Sequence, residues 1–277
     1  MSRRIVVGLD GSAFADAALE LALRRAQHFN STVIGVAIID TPSIDRLAAG
    51  AQPGAMHFAE HSVEHILNDV KRHAEQVVAA FRDRCAKADV TCEDVIHTGD
   101  PAVALLEESK TGDILVLGLR THYTYPTTQP DDTLLRILQQ PIAPVVAVPQ
   151  HSAPPAHIIF AYDGSAGAAR ALQAYVHVTP FLPKDFPVSL LCIAREYDQH
   201  KYDLEKAAAF LRAHSFQPQL IVRTGTATEA ILHAAQEFSP ALVILGTPPY
   251  RGIGERIFGS TAGALLKKES VAVFVFH

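Results

Sequence analysis

Residues 5–12 read Ile5-Val6-Val7-Gly8-Leu9-Asp10-Gly11-Ser12, and residues 158–165 read Ile158-Ile159-Phe160-Ala161-Tyr162-Asp163-Gly164-Ser165. Each stretch is an apolar run that ends in Asp-Gly-Ser, and an Ala- and Leu-rich segment with helical spacing follows it. A second match joins Leu115-Val116-Leu117-Gly118 to Val243-Ile244-Leu245-Gly246. Similarity at two separate points of the chain indicates an internal duplication.

The two repeats differ in length. The first match has an offset of 153 residues and the second an offset of 128, so the first repeat carries about 25 extra residues, which we place at about residues 41–70. Between the repeats lies Gln150-His151-Ser152-Ala153-Pro154-Pro155, whose prolines cannot continue a helix or a central strand. We therefore predict a first domain over residues 1–150 and a second over residues 156–277.

Short apolar runs alternate with longer amphipathic stretches in each repeat, which is typical of βαβ units around a parallel sheet. The predicted strands cover residues 4–9, 32–39, 90–97, 113–118 and 144–148, and then 157–162, 187–194, 218–223, 240–246 and 271–276. The predicted helices of the first repeat cover residues 13–29, 59–88, 100–111 and 131–139. Asp100-Pro101 and the pair Thr226 and Glu229 signal helix starts at the same place in the two repeats. The predicted fold class is α/β, with two tandem five-stranded parallel-sheet, doubly wound domains.

The composition excludes several classes of protein. Hydrophobic residues make up 48% of the chain and charged residues 19%, which indicates a globular protein. The net charge is −5 and there is no run of basic residues, so we expect no nucleic-acid partner. The apolar runs are too short for a signal peptide or a membrane span. Cys85, Cys92 and Cys192 have no paired spacing, and we therefore expect a cytoplasmic protein.

A doubly wound sheet binds its ligand beyond the carboxyl ends of the strands, at the point where the strand order reverses. In the second repeat the loop after the fourth strand has glycines at positions 246, 252, 254 and 259, and Ser260-Thr261 follows at a predicted helix start. Glycines allow backbone N–H groups to approach a ligand closely, and a helix N-terminus favours an anion. This loop therefore predicts a phosphate site.

The Asp-Gly-Ser repeat and the spacing Gly246-x2-x-x9-Gly259-Ser260 resemble the universal stress protein family, in its tandem two-domain type. The resemblance covers essentially the whole chain. It implies a five-stranded α/β domain in each repeat and an adenine nucleotide, ATP, ADP or AMP, as the cofactor, because some members bind ATP through G-x2-G-x9-G-[S/T]. The site residues that it implies are Asp163, Ile193, Gly246, Pro248, Pro249, Gly259, Ser260 and Thr261.

The resemblance also implies a role for each part of this site. Asp163 would meet the adenine or the ribose, and the backbone of Ile193 would face the base. Gly246 would lie against the ribose, and residues 259–261 would hold the phosphates. One departure from the motif is Pro249, which stands where the motif has its second glycine. Proline has no N–H to donate, so one phosphate hydrogen bond worth about 1.5–3 kcal/mol is lost.

The first repeat departs further from the motif. At the offset of 128, Asp131 and Asp132 align with Gly259 and Ser260. Two carboxylates would repel phosphates, so we predict that the first repeat does not bind ATP in the usual way. The alternative role for Asp131 and Asp132 is to cap the helix that starts near Thr133.

Three histidines lie four residues apart in the extra segment, at His57, His61 and His65. They share one helical face, and His61-x-x-Glu64-His65 matches a zinc-binding HxxEH pattern. A third ligand and an open coordination position are also needed, and the same residues suit a solvated helix face. We assign no metal to them.

Several functions stay open on the sequence alone. The family resemblance favours a stress-response protein that binds or senses an adenine nucleotide, and no catalytic residue is assigned. The alternatives are slow ATP hydrolysis, or a scaffold or apolar-ligand-binding protein without a nucleotide. The resemblance also implies association through the last strands of the two repeats, residues 144–148 and 271–276, which we expect to pair within one chain. Whether whole chains form a homodimer is left open.

Overall fold

The computed structural model describes residues 3–49, 56–123, 130–179, 182–183, 185–194, 201–247 and 260–277. The chain forms two compact units, here called the first unit, Arg3–Ile137, and the second unit, Leu138–His277. The last strand of the first repeat belongs to the second unit, because it pairs with the last strand of the second repeat. The segment 150–155 between the repeats has no helix or strand.

The first unit is a four-stranded parallel sheet with the strand order β3-β2-β1-β4. The chain moves from β1 to β2 and β3 on one side and returns to place β4 on the other side of β1. Its elements are β1 (Arg4–Leu9), α1 (Ala13–Phe29), β2 (Thr32–Ile39), α2 (Thr41–Ala49), α3 (Met56–Lys87), β3 (Cys92–Thr98), α4 (Pro101–Ser109), β4 (Ile114–Gly118) and α5 (Thr133–Gln139), which crosses into the second unit.

The second unit has the strand order β5-β10-β9-β6-β7-β8. All neighbouring strands are parallel except β5, which runs antiparallel to β10 with Val146 opposite Phe274. Its elements are β5 (Val145–Val148), β6 (His157–Ala161), α6 (Ala166–Val178), β7 (Val188–Ile193), α7 (Lys201–Ala213), β8 (Pro218–Arg223), α8 (Ala227–Glu237), β9 (Ala241–Gly246), α9 (Ser260–Lys268) and β10 (Ala272–Phe276). The predicted α/β fold class is therefore confirmed, and each predicted strand is present to within two residues at either end.

Polar side chains fix the starts of four helices. Ser12 and Ser165 accept a hydrogen bond from the third backbone N–H that follows each of them, at 3.1 Å in both cases. Asp100 does the same for α4, which has Pro101 at its first position, and Thr226 does so for α8. Each side chain satisfies an N–H that has no partner inside the helix. Local sequence thus explains where the helices begin.

The central strands are apolar because helices cover both faces of the sheets. Every residue of β4 and β5 is buried. The strands β3 and β8 lie at the ends of their sheets and are only partly buried. In the second unit Tyr175 packs edge-on against Phe160 and Phe274, with ring centroids 5.5 and 5.2 Å apart. This aromatic packing joins α6 to the sheet.

The extra segment of the first repeat differs from its prediction. We predicted one helix over residues 59–88, and the structure has α2 in addition to a longer α3. The start of α2 has a recognisable signal, because the Asp40 side chain accepts a hydrogen bond from the Ser43 backbone N–H at 3.1 Å and Pro42 lies in the first turn.

The histidines of the extra segment lie on α3. The side chains of His57 and His61 fall outside the part of the chain that the structure describes, and His65 is exposed. Among the described residues no group of three His, Cys, Asp or Glu side chains could hold a metal ion. A search of the same residues for a helix long and apolar enough to cross a membrane found none.

Candidate functional site

The turn after β6 places Asp163 at the carboxyl edge of the second sheet. Its Oδ1 accepts a hydrogen bond from the Ser165 backbone N–H at 2.9 Å, and Ser165 then caps α6. The turn requires Gly164, whose φ of 79° disfavours other residues. Asp163 is exposed. Its carboxylate therefore stands in solvent beside the N-terminus of α6.

Gly246 ends β9, the strand next to β6 on the side where the strand order reverses. A Cβ on Gly246 would overlap the backbone of Gly167 and Ala168 in α6. A Cβ on Gly167 would in turn lie 2.6 Å from the Thr247 carbonyl oxygen. Two glycines thus allow the first turn of α6 to touch the end of β9. This contact brings the turn that holds Asp163 and the start of the predicted phosphate loop to one edge of the sheet.

The other residues that the resemblance implied fall into two groups. Ile193 is the half-buried last residue of β7, the strand on the other side of β6, and Thr261 is half-buried in the first turn of α9. The helix α9 begins at Ser260, as predicted. The residues outside the described part of the chain are Pro248, Pro249 and Gly259, together with the side chain of Ser260.

Sequence reasoning missed the contribution of α7 to this edge. A Cβ on Gly164 would lie 3.2 Å from Oδ2 of Asp203. Burial, together with the carboxylates of Asp203 and Asp163, raises the pKa of Tyr162. Lys206 lies over the ring of Tyr202 at 4.1 Å from its centroid. Two carboxylates, those of Asp163 and Asp203, therefore lie close to the turn after β6. Lys206 follows Asp203 by about one turn of α7.

In the corresponding turn of the first unit, a residue of the loop after β4 also reaches the aspartate. Oδ1 of Asp10 accepts from the Ser12 backbone N–H at 2.9 Å, as Asp163 does in the second repeat, but Oδ2 also accepts from the His122 backbone N–H at 2.7 Å. Burial raises the pKa of Asp10, although the hydrogen bonds from Ser12 and His122 oppose the shift. Both oxygens of this carboxylate are therefore engaged by the protein itself.

Asp131 holds the loop after β4 in place. Its Oδ1 accepts from the Thr121 hydroxyl and from the Thr133 backbone N–H at 2.9 Å, and its Oδ2 accepts from the Tyr123 backbone N–H at 2.8 Å. We gave helix capping as the alternative role of Asp131 and Asp132, and α5 begins directly after them, at Thr133 rather than at the predicted residue 131. Asp132 is exposed, and its carbonyl oxygen accepts the Arg136 N–H at 3.0 Å. Asp131 is chiefly a loop anchor, which its position in the sequence does not indicate.

Comparison with known proteins gives the same family for both repeats. A model described as the universal stress protein family matches residues 1–142 and residues 156–277. Universal stress protein Slr1230 of Synechocystis sp. is 24% identical over 208 residues, which is 74% of this chain and 72% of that protein. Universal stress protein YxiE of Bacillus subtilis is 25% identical over 127 residues, which is 43% of this chain and 80% of that protein.

Solved structures have the same fold over nearly the full length. A universal stress protein from Archaeoglobus fulgidus has a TM-score of 0.63 and 17% identity, covering 98% of this chain and 97% of that one. A second, from Pseudomonas aeruginosa, has a TM-score of 0.61 and 13% identity, covering 99% and 93%. At these identities the similarity concerns the fold alone, and the match of the family model to both repeats supplies the assignment. The chain belongs to the universal stress protein family, with one match to the family in each of its two repeats.

Proposed function

We propose that this universal stress protein binds an adenine nucleotide, ATP, ADP or AMP, at the carboxyl edge of its second repeat. In this proposal Asp163 faces the ribose or the adenine, and the backbone of Ile193 faces the base. Gly246 lies against the ribose, and Gly259, Ser260 and Thr261 hold the phosphates. Pro248 and Pro249 are the further residues of the proposed site. The nucleotide acts as a signal of cellular state in a stress response, and the protein binds it without fast turnover.

The observation that carries this proposal is the exposure of Asp163 in a turn that is otherwise the same as that of Asp10. The exposed carboxylate can accept hydrogen bonds from ribose hydroxyl groups, whereas the oxygens of Asp10 are engaged by backbone N–H groups. Gly246 and Gly167 keep the end of β9 and the start of α6 in backbone contact, which holds the turn of Asp163 at the point where the strand order reverses. An exposed carboxylate at this point of a doubly wound sheet supports a ligand there.

One further feature supports an anionic ligand, and one departure from the family motif should weaken its binding. The nine-residue helix α9 begins at Ser260, and unpaired N–H groups at a helix N-terminus favour phosphate. Pro249 withholds one N–H from the loop, so we expect affinity about ten- to a hundredfold lower than that of a site with glycine there. In the first repeat Asp131 and Asp132 stand at the positions of Gly259 and Ser260, and we propose that no nucleotide binds there.

Titration calorimetry with ATP, ADP and AMP tests the proposal. We expect one site per chain and no phosphate release above a blank without protein. Asp163→Ala should weaken binding about tenfold or more, because a hydrogen bond to a charged group is lost. Pro249→Gly should strengthen binding, because it restores an N–H donor to the loop.

The matched control is Asp132→Asn, which removes an exposed carboxylate from the corresponding region of the first repeat. It should leave the affinity and the stoichiometry unchanged. Folding of each variant is checked by circular dichroism. A folded wild-type protein that binds none of the three nucleotides at millimolar concentration would contradict the proposal, and so would equal affinities of the wild type and Asp163→Ala.

A further inference from the structure

Tyr123 fills the crevice at the carboxyl edge of the first sheet. Its side chain comes from the loop after β4 and is only 4% exposed. A Cβ on Gly8 of β1 would overlap the Tyr123 hydroxyl oxygen and lie 3.6 Å from the ring carbon Cζ. A crevice beside the ring is lined by the ends of β1 and β2 and by Val70, Ala74 and Val77 of α3, and about 10 Å³ of space is left in it. That volume is at the lower limit for one water molecule, so the ring leaves no room for a ligand in this part of the carboxyl edge.

The backbone of this tyrosine and of the residue before it is anchored. The Tyr123 N–H donates to Oδ2 of Asp131, and the preceding N–H, of His122, donates to Oδ2 of Asp10. The N–H of Asp131 donates to the carbonyl oxygen of Thr121 at 2.9 Å. Two charge-assisted hydrogen bonds therefore fix the backbone from which the ring extends.

The second repeat has a different residue at this position. Ala161 stands at the position that Gly8 has in the first repeat, at the same offset that relates Asp163 to Asp10. Gly8 has only a hydrogen atom where Ala161 has a methyl group, and the Tyr123 hydroxyl lies against Gly8 at that place. The contact between β1 and Tyr123 therefore depends on a glycine that the second repeat lacks.

The charges around the ring limit what could replace it. Burial, together with the carboxylates of Asp10 and Asp131, raises the pKa of Tyr123 well above its ordinary value. The same carboxylates would repel an anionic ligand. A molecule that replaces the phenol ring is therefore not an anion, and the burial and flat shape of the ring favour one that is planar, mainly apolar and uncharged.

We propose that the first repeat contains a latent site for an uncharged, planar aromatic molecule of the size of a phenol or a nucleobase, with Tyr123 as the internal ligand that fills it. The site lies between the ends of β1 and β2, helix α3 and the backbone of residues 121–123. Removal of the Tyr123 side chain opens the site to such a molecule. Phosphorylated ligands are excluded from it, whether or not the second repeat binds a nucleotide.

Chemical rescue of Tyr123→Ala by phenol, which reproduces the group that the substitution removes beyond Cβ, tests the proposal. We expect this substitution to lower the Tm by about 10 °C, because it leaves a large cavity. Millimolar phenol should then raise the Tm of Tyr123→Ala by several degrees, because a ligand that binds only the folded state stabilises it. It should not raise the Tm of the wild type or of Tyr202→Ala, a matched control that removes an exposed ring. An equal response of all three proteins, or no response of Tyr123→Ala, would overturn the proposal.

A second pair of variants tests the position of the ring even if Tyr123→Ala does not fold. Tyr123→Phe keeps the ring and removes only the hydroxyl that lies against Gly8. Gly8→Ala should lower the Tm by several degrees more in the wild type than in Tyr123→Phe. The side chain of Leu117 also lies close to Gly8, but it is present in both backgrounds and cancels in the difference. Equal losses would show that the hydroxyl does not lie against β1, and the proposal would fail.

Discussion

The turns after β1 and β6 have the same Asp-Gly-Ser sequence and nearly the same backbone. The central glycines, Gly11 and Gly164, have φ values of 75° and 79°. In both turns the aspartate Oδ1 accepts the N–H of the serine at 2.9 Å. Three residues are thus sufficient to specify the turn and the start of the helix that follows it.

The two turns differ in the residues from other helices and loops that contact them. Gly11 lies against His73 of α3, whereas Gly164 lies near Asp203 of α7. The loop after β4 brings His122 onto Asp10, and Asp163 remains exposed. The local sequence therefore specifies the turn, and segments that are distant in the chain determine whether the aspartate of the turn is available to a ligand.

The most destabilising substitution should be one at a contact that both repeats share, between the first helix and the fourth strand of the repeat. Gly246→Ala would place a Cβ inside the backbone of Gly167 and Ala168, which cannot rotate away as a side chain can. We expect the free energy of unfolding to fall by about 3 kcal/mol or more. Gly118→Ala in the first repeat should cost less, about 2 kcal/mol, because its nearest atom is the Phe14 Cβ at 2.6 Å. Urea unfolding followed by circular dichroism measures both.

The control for these two variants is Gly225→Ala. A Cβ there would have no heavy atom within 4 Å, so its cost comes only from the φ of 103°. We expect a loss of about 1–2 kcal/mol. If Gly246→Ala were no more harmful than Gly225→Ala, the backbone contact between α6 and β9 would not be as close as described.

Much of the fold could be predicted from the sequence because its signals are local. Apolar runs, capping residues and the repeated Asp-Gly-Ser predict the strands and the helix starts, and Asp40 followed by Pro42 could have revealed α2 as well. The role of Tyr123 could not be predicted, because its neighbour Gly8 is more than a hundred residues away. Asp203 was missed for a related reason: its position near Gly164 depends on how α7 packs on the sheet, which no residue spacing within α7 specifies.

Asp100 and Thr226 are helix-capping residues at the same place in the two repeats. Asp100 caps α4 and also binds the guanidinium of Arg136 through two hydrogen bonds of 2.8 and 2.9 Å. Thr226 caps α8, and its hydroxyl donates to its helix neighbour Glu229 at 2.8 Å. We expect Asp100→Ala to cost about 2 kcal/mol and Thr226→Ala about 1 kcal/mol in unfolding free energy. Urea unfolding of each variant measures the difference.

Arg136→Ala separates the two contributions of Asp100. It removes the ion pair and leaves the cap, so it should cost less than Asp100→Ala. The ion pair is partly exposed, with side-chain exposures of 40% and 29%, and its share should therefore be modest. Equal costs for Asp100→Ala and Thr226→Ala would mean that the ion pair adds nothing to the cap.

The two repeats should also differ slightly in how strongly acid lowers their stability. His157 in β6 is 9% exposed, lies 2.8 Å from the Ser189 hydroxyl through Nε2, and stacks on Phe238 at 4.3 Å. Burial lowers its pKa from 6.5. At the same place in the first repeat stands Arg4, whose guanidinium contacts the exposed Glu93 at 3.1 Å, so the first repeat has no histidine at this position.

The sign of the pH dependence follows from the lowered pKa. Below pH 6.5 the unfolded chain takes up a proton at this histidine and the folded chain does not, so stability is full above pH 6.5 and falls as the pH drops toward the folded pKa. The slope from this one group is at most about 1.4 kcal/mol per pH unit. His157→Gln keeps a polar partner for Ser189 and should flatten the urea-unfolding profile between about pH 7 and 5. The control His65→Gln, at an exposed histidine, should leave the urea-unfolding profile unchanged. If the profile of His157→Gln were as steep as that of the wild type, the acid sensitivity would not come from His157.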